Sequence, residues 1–124
     1  MPHTIVEYSA SVADAFDRPA FGKGLHDALV RIAGARAGGC KTRFVRLDDT
    51  WIADGSPHYA LLHVEIGVLS GRPPEIKREL NEAVLAQLRE HTAPLPHLEV
   101  QFSVNLHDLD SESYVRHQES RTEA

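Results

Sequence analysis

Pro2 stands directly behind Met1 and leads straight into an alternating stretch, Thr4 to Tyr8. Within a chain a prolyl nitrogen has neither a hydrogen nor useful basicity. As a chain terminus, once Met1 is removed, it is a secondary amine. Burial or nearby cations lower such a group from its ordinary value near ~8, which leaves it neutral and able to accept a proton at neutral pH. The plainer reading is that a small second residue only favours methionine removal. Arg72, in "SGRPPE", sits ahead of a helical pattern whose N-terminus offers unpaired N–H groups to an anion. Its own planar fork matches a carboxylate, although a loop arginine is commonly just solvated. Lys41 and Arg43 are two apart on an extended segment and share a face, with Arg46 pointing the other way. That cationic pair suits a second carboxylate, or equally the charged rim that protects an edge strand.

Other chemistries find little support. The eight histidines, His3, His26, His58, His63, His91, His97, His107 and His117, show no HExxH or cysteine-paired spacing, so no metal site is expected. "HVE" at His63 to Glu65 matches half of a zinc-deaminase signature, but the P-C-x-x-C half is missing. Ser9, Ser56 and Ser70 stand in no nucleophile-elbow context, and the glycines form no phosphate loop. Cys40 is alone, which excludes an internal disulfide and suits a reducing compartment; it reads as an inert small residue. Asp and Glu number 18 against 13 Lys and Arg, a net charge of -5, so the basic field needed to bind nucleic acid is absent. No apolar run approaches the roughly 18 residues of a membrane span, and the first residues lack the basic and apolar regions of a signal peptide. A cytoplasmic protein without membrane or nucleic-acid partners is expected.

The elements that must position these residues follow from periodicity. Thr4 to Tyr8 alternates as a strand. From Pro19, the residues Phe21, Leu25, Ala28, Leu29 and Ile32 form the stripe of an amphipathic helix, with Gly34 as a left-handed stop. "CKTRFVRLDD" suggests a second strand. Asp54-Gly55 then favours a tight, hairpin-like reversal. "HYALLHVEIGVL" is nearly continuously apolar and reads as a central strand buried on both faces. From Pro74, Ile76, Leu80, Ala83, Val84 and Leu88 line one side of a second helix, and "LEVQFSVNL" alternates as a last strand.

Laid over each other, the two halves repeat. Pro57 minus Pro2 and Pro74 minus Pro19 both give 55, and the same shift maps His3 onto His58, Leu25 onto Leu80 and Ala28 onto Ala83. Two β-α-β units of an α+β fold are implied, joined in a mixed four-stranded sheet with both helices on one face. The uncovered face and the two-sided apolar strand predict oligomerisation, with sheets meeting in the centre. Residues 2–107 form this domain. Residues 108–124 make a polar tail with Tyr114 and Val115 as its only large apolar residues; alone it buries too little to order, so it is either loose or packed on a neighbouring subunit.

Three blocks at compatible spacing carry a resemblance: "PHTIVEYSA" at the start, R-x-D-x-x-W-x-ADG-x-x-x-YA-x-x-H from Arg46 to His63, and Gly71-Arg72. Together, nearly gap-free from Pro2 to about Leu106, they resemble the 5-carboxymethyl-2-hydroxymuconate isomerases of the tautomerase superfamily. The resemblance implies a homotrimer with two β-α-β units per chain and an exposed N-terminal proline, here Pro2, as acid-base catalyst. It implies two arginines that engage carboxylates of a small substrate. One falls on Arg72. The other falls on Lys41, a departure that keeps the charge but loses the fork, with Arg43 placed to compensate. The implied reaction is a keto-enol isomerisation in homoprotocatechuate (aromatic) catabolism, with no metal or organic cofactor. Trp51 and the Asp54-Gly55 turn suggest a structural, packing role. Two alternatives remain open: a non-enzymatic small-molecule-binding module, and a tautomerase-superfamily enzyme acting on a different unsaturated acid.

Overall fold

The computed structural model describes residues 1–121. Six main elements follow in order: β1 (His3–Ser9), α1 (Arg18–Ala33), β2 (Lys41–Leu47), β3 (Tyr59–Leu69), α2 (Pro74–Glu90) and β4 (Glu99–Leu109), with single 3₁₀ turns at Ala10–Val12 and Ala37–Gly39. The strands form one sheet in the order β2-β1-β3-β4. β1 runs parallel to β2 and β3 runs parallel to β4, while β1 and β3 meet antiparallel in the middle. The 55-residue repeat is therefore two parallel β-α-β units joined through their first strands.

Each helix starts and stops for local reasons. The Asp17 carboxylate accepts from the Ala20 N–H at 3.1 Å and caps α1, which then carries proline in its first turn. α1 ends because Gly34 adopts φ 70°, from which its N–H returns to the carbonyls of Leu29 and Val30. In α2, Pro74 opens the helix and Leu80, Val84 and Leu88 are the residues it buries. Phe21, Leu25, Ala28 and Leu29 of α1 join them over one sheet face, against Val6 and Tyr8 of β1 and Ala60, Leu62, Val64, Ile66 and Val68 of β3. Burying each Leu or Phe contributes about 1.5–3 kcal/mol, so this layer holds the sheet rigid beneath the site.

Three expectations need correction. The reversal at Asp54-Gly55 exists, with Ala53 at φ 53° and Gly55 at φ 85°, but it does not close a hairpin. β2 and β3 flank β1 on opposite sides, so the chain between them passes the end of β1 rather than folding back on itself. Nor is β3 buried on both faces. Its even positions are buried, whereas Leu61, His63 and Glu65 on the other face are only half-buried in the chain. The strand alternates after all, because the second face is polar at its middle: the Glu65 carboxylate accepts from Asn105 at 2.8 Å and is bonded to His63 at 3.0 Å and His107 at 2.7 Å. A run scored as apolar thus hid two ionisable side chains. Trp51 is not packed inside either. It is 80% exposed, its ring lying over Gly55, where a Cβ would meet it at 2.6 Å.

Candidate active site

Pro2 is buried at the N-terminal end of β1, where its carbonyl accepts from the Lys41 N–H at 3.1 Å. It lines a small cavity of about 100 Å³ together with Met1, Gly34, Ala35, Arg36, Leu69 and Arg72. The fold explains the company. Leu69 ends β3, Arg72 follows three residues later, and Gly34 and Ala35 follow α1, so a strand start, a strand end and a helix end converge on one nitrogen.

Arg72 is held there by the backbone. Its Nε donates to the carbonyl of Ala33, the last residue of α1, at 2.8 Å, and one terminal nitrogen donates to the Leu69 carbonyl at 3.0 Å. A guanidinium has five N–H donors, so three remain for a ligand. This placement differs from the sequence argument in one respect. The N-terminus of α2 is a poor anion site, because Pro73 and Pro74 lack N–H groups at its cap and first turn. Arg72 instead answers the negative, C-terminal end of α1.

Lys41 starts β2 opposite His3, and its ammonium donates to the Gly39 carbonyl at 2.9 Å. The Met1 ammonium donates to the same carbonyl at 3.0 Å. Two cations on one acceptor repel each other. Accordingly the terminal ammonium sits below its ordinary value of 8.0, first through burial and then through Lys41, with Arg116 and Arg72 adding to the effect and Cys40 opposing it. The same causes act on His3, which burial, Lys41 and Arg43 hold below the usual imidazole range. Burial pushes the Cys40 thiol up, as expected for an unreactive cysteine.

Arg43 is not brought to Pro2. It is exposed, pairs across the sheet with Ile5, and does not line the cavities that contain Pro2, Arg72 or Lys41. Sequence reasoning missed two cations, Arg36, which is brought to Pro2, and Arg116, which lines the neighbouring cavities. Arg36 shares the Pro2 cavity and also lines a larger one of about 610 Å³ with Met1, Gly38, Gly39, Arg116 and Gln118. Lys41 borders a third cavity, of about 480 Å³, with His3, Tyr114 and Arg116. Arg36 lies in a loop and Arg116 in the polar tail, so no periodicity marks either one. None of the described residues lining these three cavities is Asp or Glu, in a chain whose net charge is -5. The positive field is local and focused on the N-terminus. Met1 and Arg36 line both the small cavity and the 610 Å³ one. Among the described residues, no group of three or more His, Cys, Asp or Glu side chains is placed to hold a metal ion, and no helix is long and apolar enough to cross a membrane.

A profile of the 5-carboxymethyl-2-hydroxymuconate isomerase family matches residues 2–123. The chain belongs to this family. It is 30% identical to the 5-carboxymethyl-2-hydroxymuconate Delta-isomerase of Escherichia coli over 96 residues, which cover 77% of this chain and 75% of that relative. Its fold superposes on a crystal structure of a 5-carboxymethyl-2-hydroxymuconate isomerase from Deinococcus radiodurans R1 with a TM-score of 0.80, at 22% identity over 95% of this chain and 90% of that one. A symmetric trimer of a fused 4-OT also matches, with a TM-score of 0.64 and 25% identity over 89% and 87% of the two chains. Membership of an isomerase family agrees with the three sequence blocks, whose outer members, Pro2 and Arg72, share one cavity in the structure.

Proposed function

We propose that the processed chain, beginning at Pro2, isomerises 5-carboxymethyl-2-hydroxymuconate or a close 2-hydroxydienoate, and that the Pro2 amine moves the proton. The single observation that carries this reading is that Pro2 and Arg72 share an arginine-lined cavity with no Asp or Glu among its described lining residues. A cavity of about 100 Å³ is well below the roughly 300 Å³ at which small-molecule sites begin. Loss of Met1 removes one of the two residues, Met1 and Arg36, that line both this cavity and the 610 Å³ space, so the step that creates the amine also opens room for a substrate.

The steps balance without an added reagent. The neutral amine takes the proton of the 2-hydroxyl group, whose oxygen becomes the 2-oxo group. The C2–C3 double bond moves to C3–C4, and the C4–C5 pair accepts the proton back from the prolinium at C5. One group thus serves as base and then as acid, and no cofactor enters. A placed proton shuttle contributes about 10²–10⁴-fold. Arg72 and Lys41 hold carboxylates and stabilise the dienolate charge in the intermediate. For Lys41 this means releasing the Gly39 carbonyl, a single-point contact where the resemblance implies a forked one. Arg43 contributes to the positive field from outside the cavity.

A homotrimer is part of this reading, supported by the trimeric neighbour of the same fold and by an open sheet face that one chain leaves uncovered. The test is Pro2→Ala, which keeps a small terminal residue but replaces the secondary amine. Turnover of the dienol is expected to fall at least about 10²-fold, with circular dichroism and melting unchanged. Turnover within a few-fold of the parent would overturn the assignment, and retained ligand binding with no dienol turnover in the parent itself would favour a binding module.

A further inference from the structure

We infer that the C-terminal segment is a specificity strap, and that Arg116 on it, together with Arg36, receives the substrate carboxylate farthest from the reacting carbons. The inference rests on the reading of Pro2 as the reaction centre and assigns the residues that would recognise the third carboxylate of the dienol named under that reading.

The strap is built rather than loose. Beyond β4, Ser111 is fastened to Ser70 through paired hydroxyls at 2.6 Å and through its N–H at 3.3 Å. That contact fixes the turn beside Gly71-Arg72. The turn closes with Tyr114 N–H donating to the Asp110 carbonyl at 3.0 Å and the Ser113 hydroxyl donating to the Asp110 carboxylate at 2.8 Å. The Tyr114 hydroxyl then bonds to His3 Nε2 at 2.8 Å, with the two rings edge-on at 5.8 Å. His3 adjoins Pro2, so this pin holds the strap across the mouth of the site. Two residues further on, Arg116 lines both larger cavities, one shared with Met1 and Arg36, the other with Lys41.

The charges are not neutralised by acids. Among the described residues, Arg46, Lys77 and Arg78 form ion pairs with Asp48, Asp108 and Glu82, but Arg36, Lys41, Arg72 and Arg116 have no carboxylate partner. The one side-chain bond of Arg116 is to the neutral amide of Gln118, at 2.8 Å. Four cations spread over three cavities that share Met1, Arg36 and Arg116 among their linings, with no acid among the described lining residues, exceed what a single carboxylate needs. Arg72 and Lys41 account for two carboxylates. Arg36, which reaches from the Pro2 cavity into the larger one, and Arg116, which lines only the larger ones, provide the place for a third.

The test separates binding from turnover by using unreactive probes. Calorimetry on the processed protein compares propane-1,2,3-tricarboxylate with glutarate, which lacks only the central carboxylate. The parent is expected to bind the tricarboxylate at least about tenfold more tightly, near the lower end of what one charge-assisted contact contributes. Arg116→Gln should abolish that preference. Tyr114→Phe, which removes the pin to His3, should reduce it without moving the melting temperature. An unchanged preference in both variants, or no preference in the parent, would overturn the inference. Pro2→Ala distinguishes the two layers: if it leaves turnover intact, the catalytic reading fails while the tricarboxylate preference still stands or falls on Arg116.

Discussion

Arg72→Lys isolates what a fork does that a point charge does not. The parent guanidinium spends two of its five donors on the carbonyls of Ala33 and Leu69, at 2.8 and 3.0 Å, and offers the other three to the cavity. A lysine has three donors on one nitrogen and no way to span both carbonyls while reaching a ligand. At least one part-buried carbonyl loses its partner, which costs about 1–2 kcal/mol. For a chain of this length that lowers melting by roughly 3–6 °C per kcal/mol. Replacement of a two-point carboxylate contact by a one-point contact should remove about 1.5–3 kcal/mol of substrate interaction, or roughly 10- to 150-fold in kcat/KM. Steady-state turnover of the dienol and a thermal melt, measured on the same preparation, read the two effects separately. A kcat/KM within twofold of the parent, despite the expected drop in melting temperature, would show that Arg72 braces the end of α1 and does nothing to substrate.

Three further outcomes test the scaffold. Gly34→Ala should destabilise by about 1–2 kcal/mol, because Gly34 sits at φ 70° with open space around its Cβ position; denaturant unfolding measures it, and Gly34→Asn should lose less. Leu62→Ala, at a fully buried position on β3, should cost about 2–5 kcal/mol by the same assay. Burial pushes the Glu65 carboxyl up, but hydrogen bonds from His63, His107 and Asn105 more than reverse this and hold it below the usual carboxylate range. A group lowered in the folded state stabilises above its unfolded value of about 4.3 and stops doing so as pH falls through its folded value. The stability gap between the parent and Glu65→Gln should therefore be present at pH 5 and shrink steadily toward pH 3; a gap that stays constant over that window would contradict it.

How much of this was legible in the sequence depended on whether the controlling physics was local. The helices were, because Phe21, Leu25, Leu80 and Val84 recur at helical spacing and Gly34 marks a stop that only a left-handed residue provides. The repeat was too, since proline and leucine positions recur at one offset. The second face of β3 was not, because His63 and Glu65 lie within a run whose average is apolar, and what satisfies them, Ser103 for His63 and Asn105 and His107 for Glu65, is some 40 residues away on β4. The path from β2 to β3 was misjudged for a similar reason: a turn dipeptide reports local direction, not which strand stands between. At the site, Pro2, Lys41 and Arg72 had signals in position or spacing. Arg36 and Arg116 had none, for each owes its place to tertiary contacts, the end of α1 in one case and the Tyr114–His3 bond in the other.

The central claim is that Pro2 presents a neutral secondary amine at neutral pH. Nitrogen-15 NMR of proline-labelled protein, followed across pH, addresses it directly. The account predicts a terminal prolyl nitrogen that titrates below the ordinary ~8 of a chain terminus. An amide-type prolyl nitrogen with Met1 still attached, or an amine that titrates at or above that value, would contradict it.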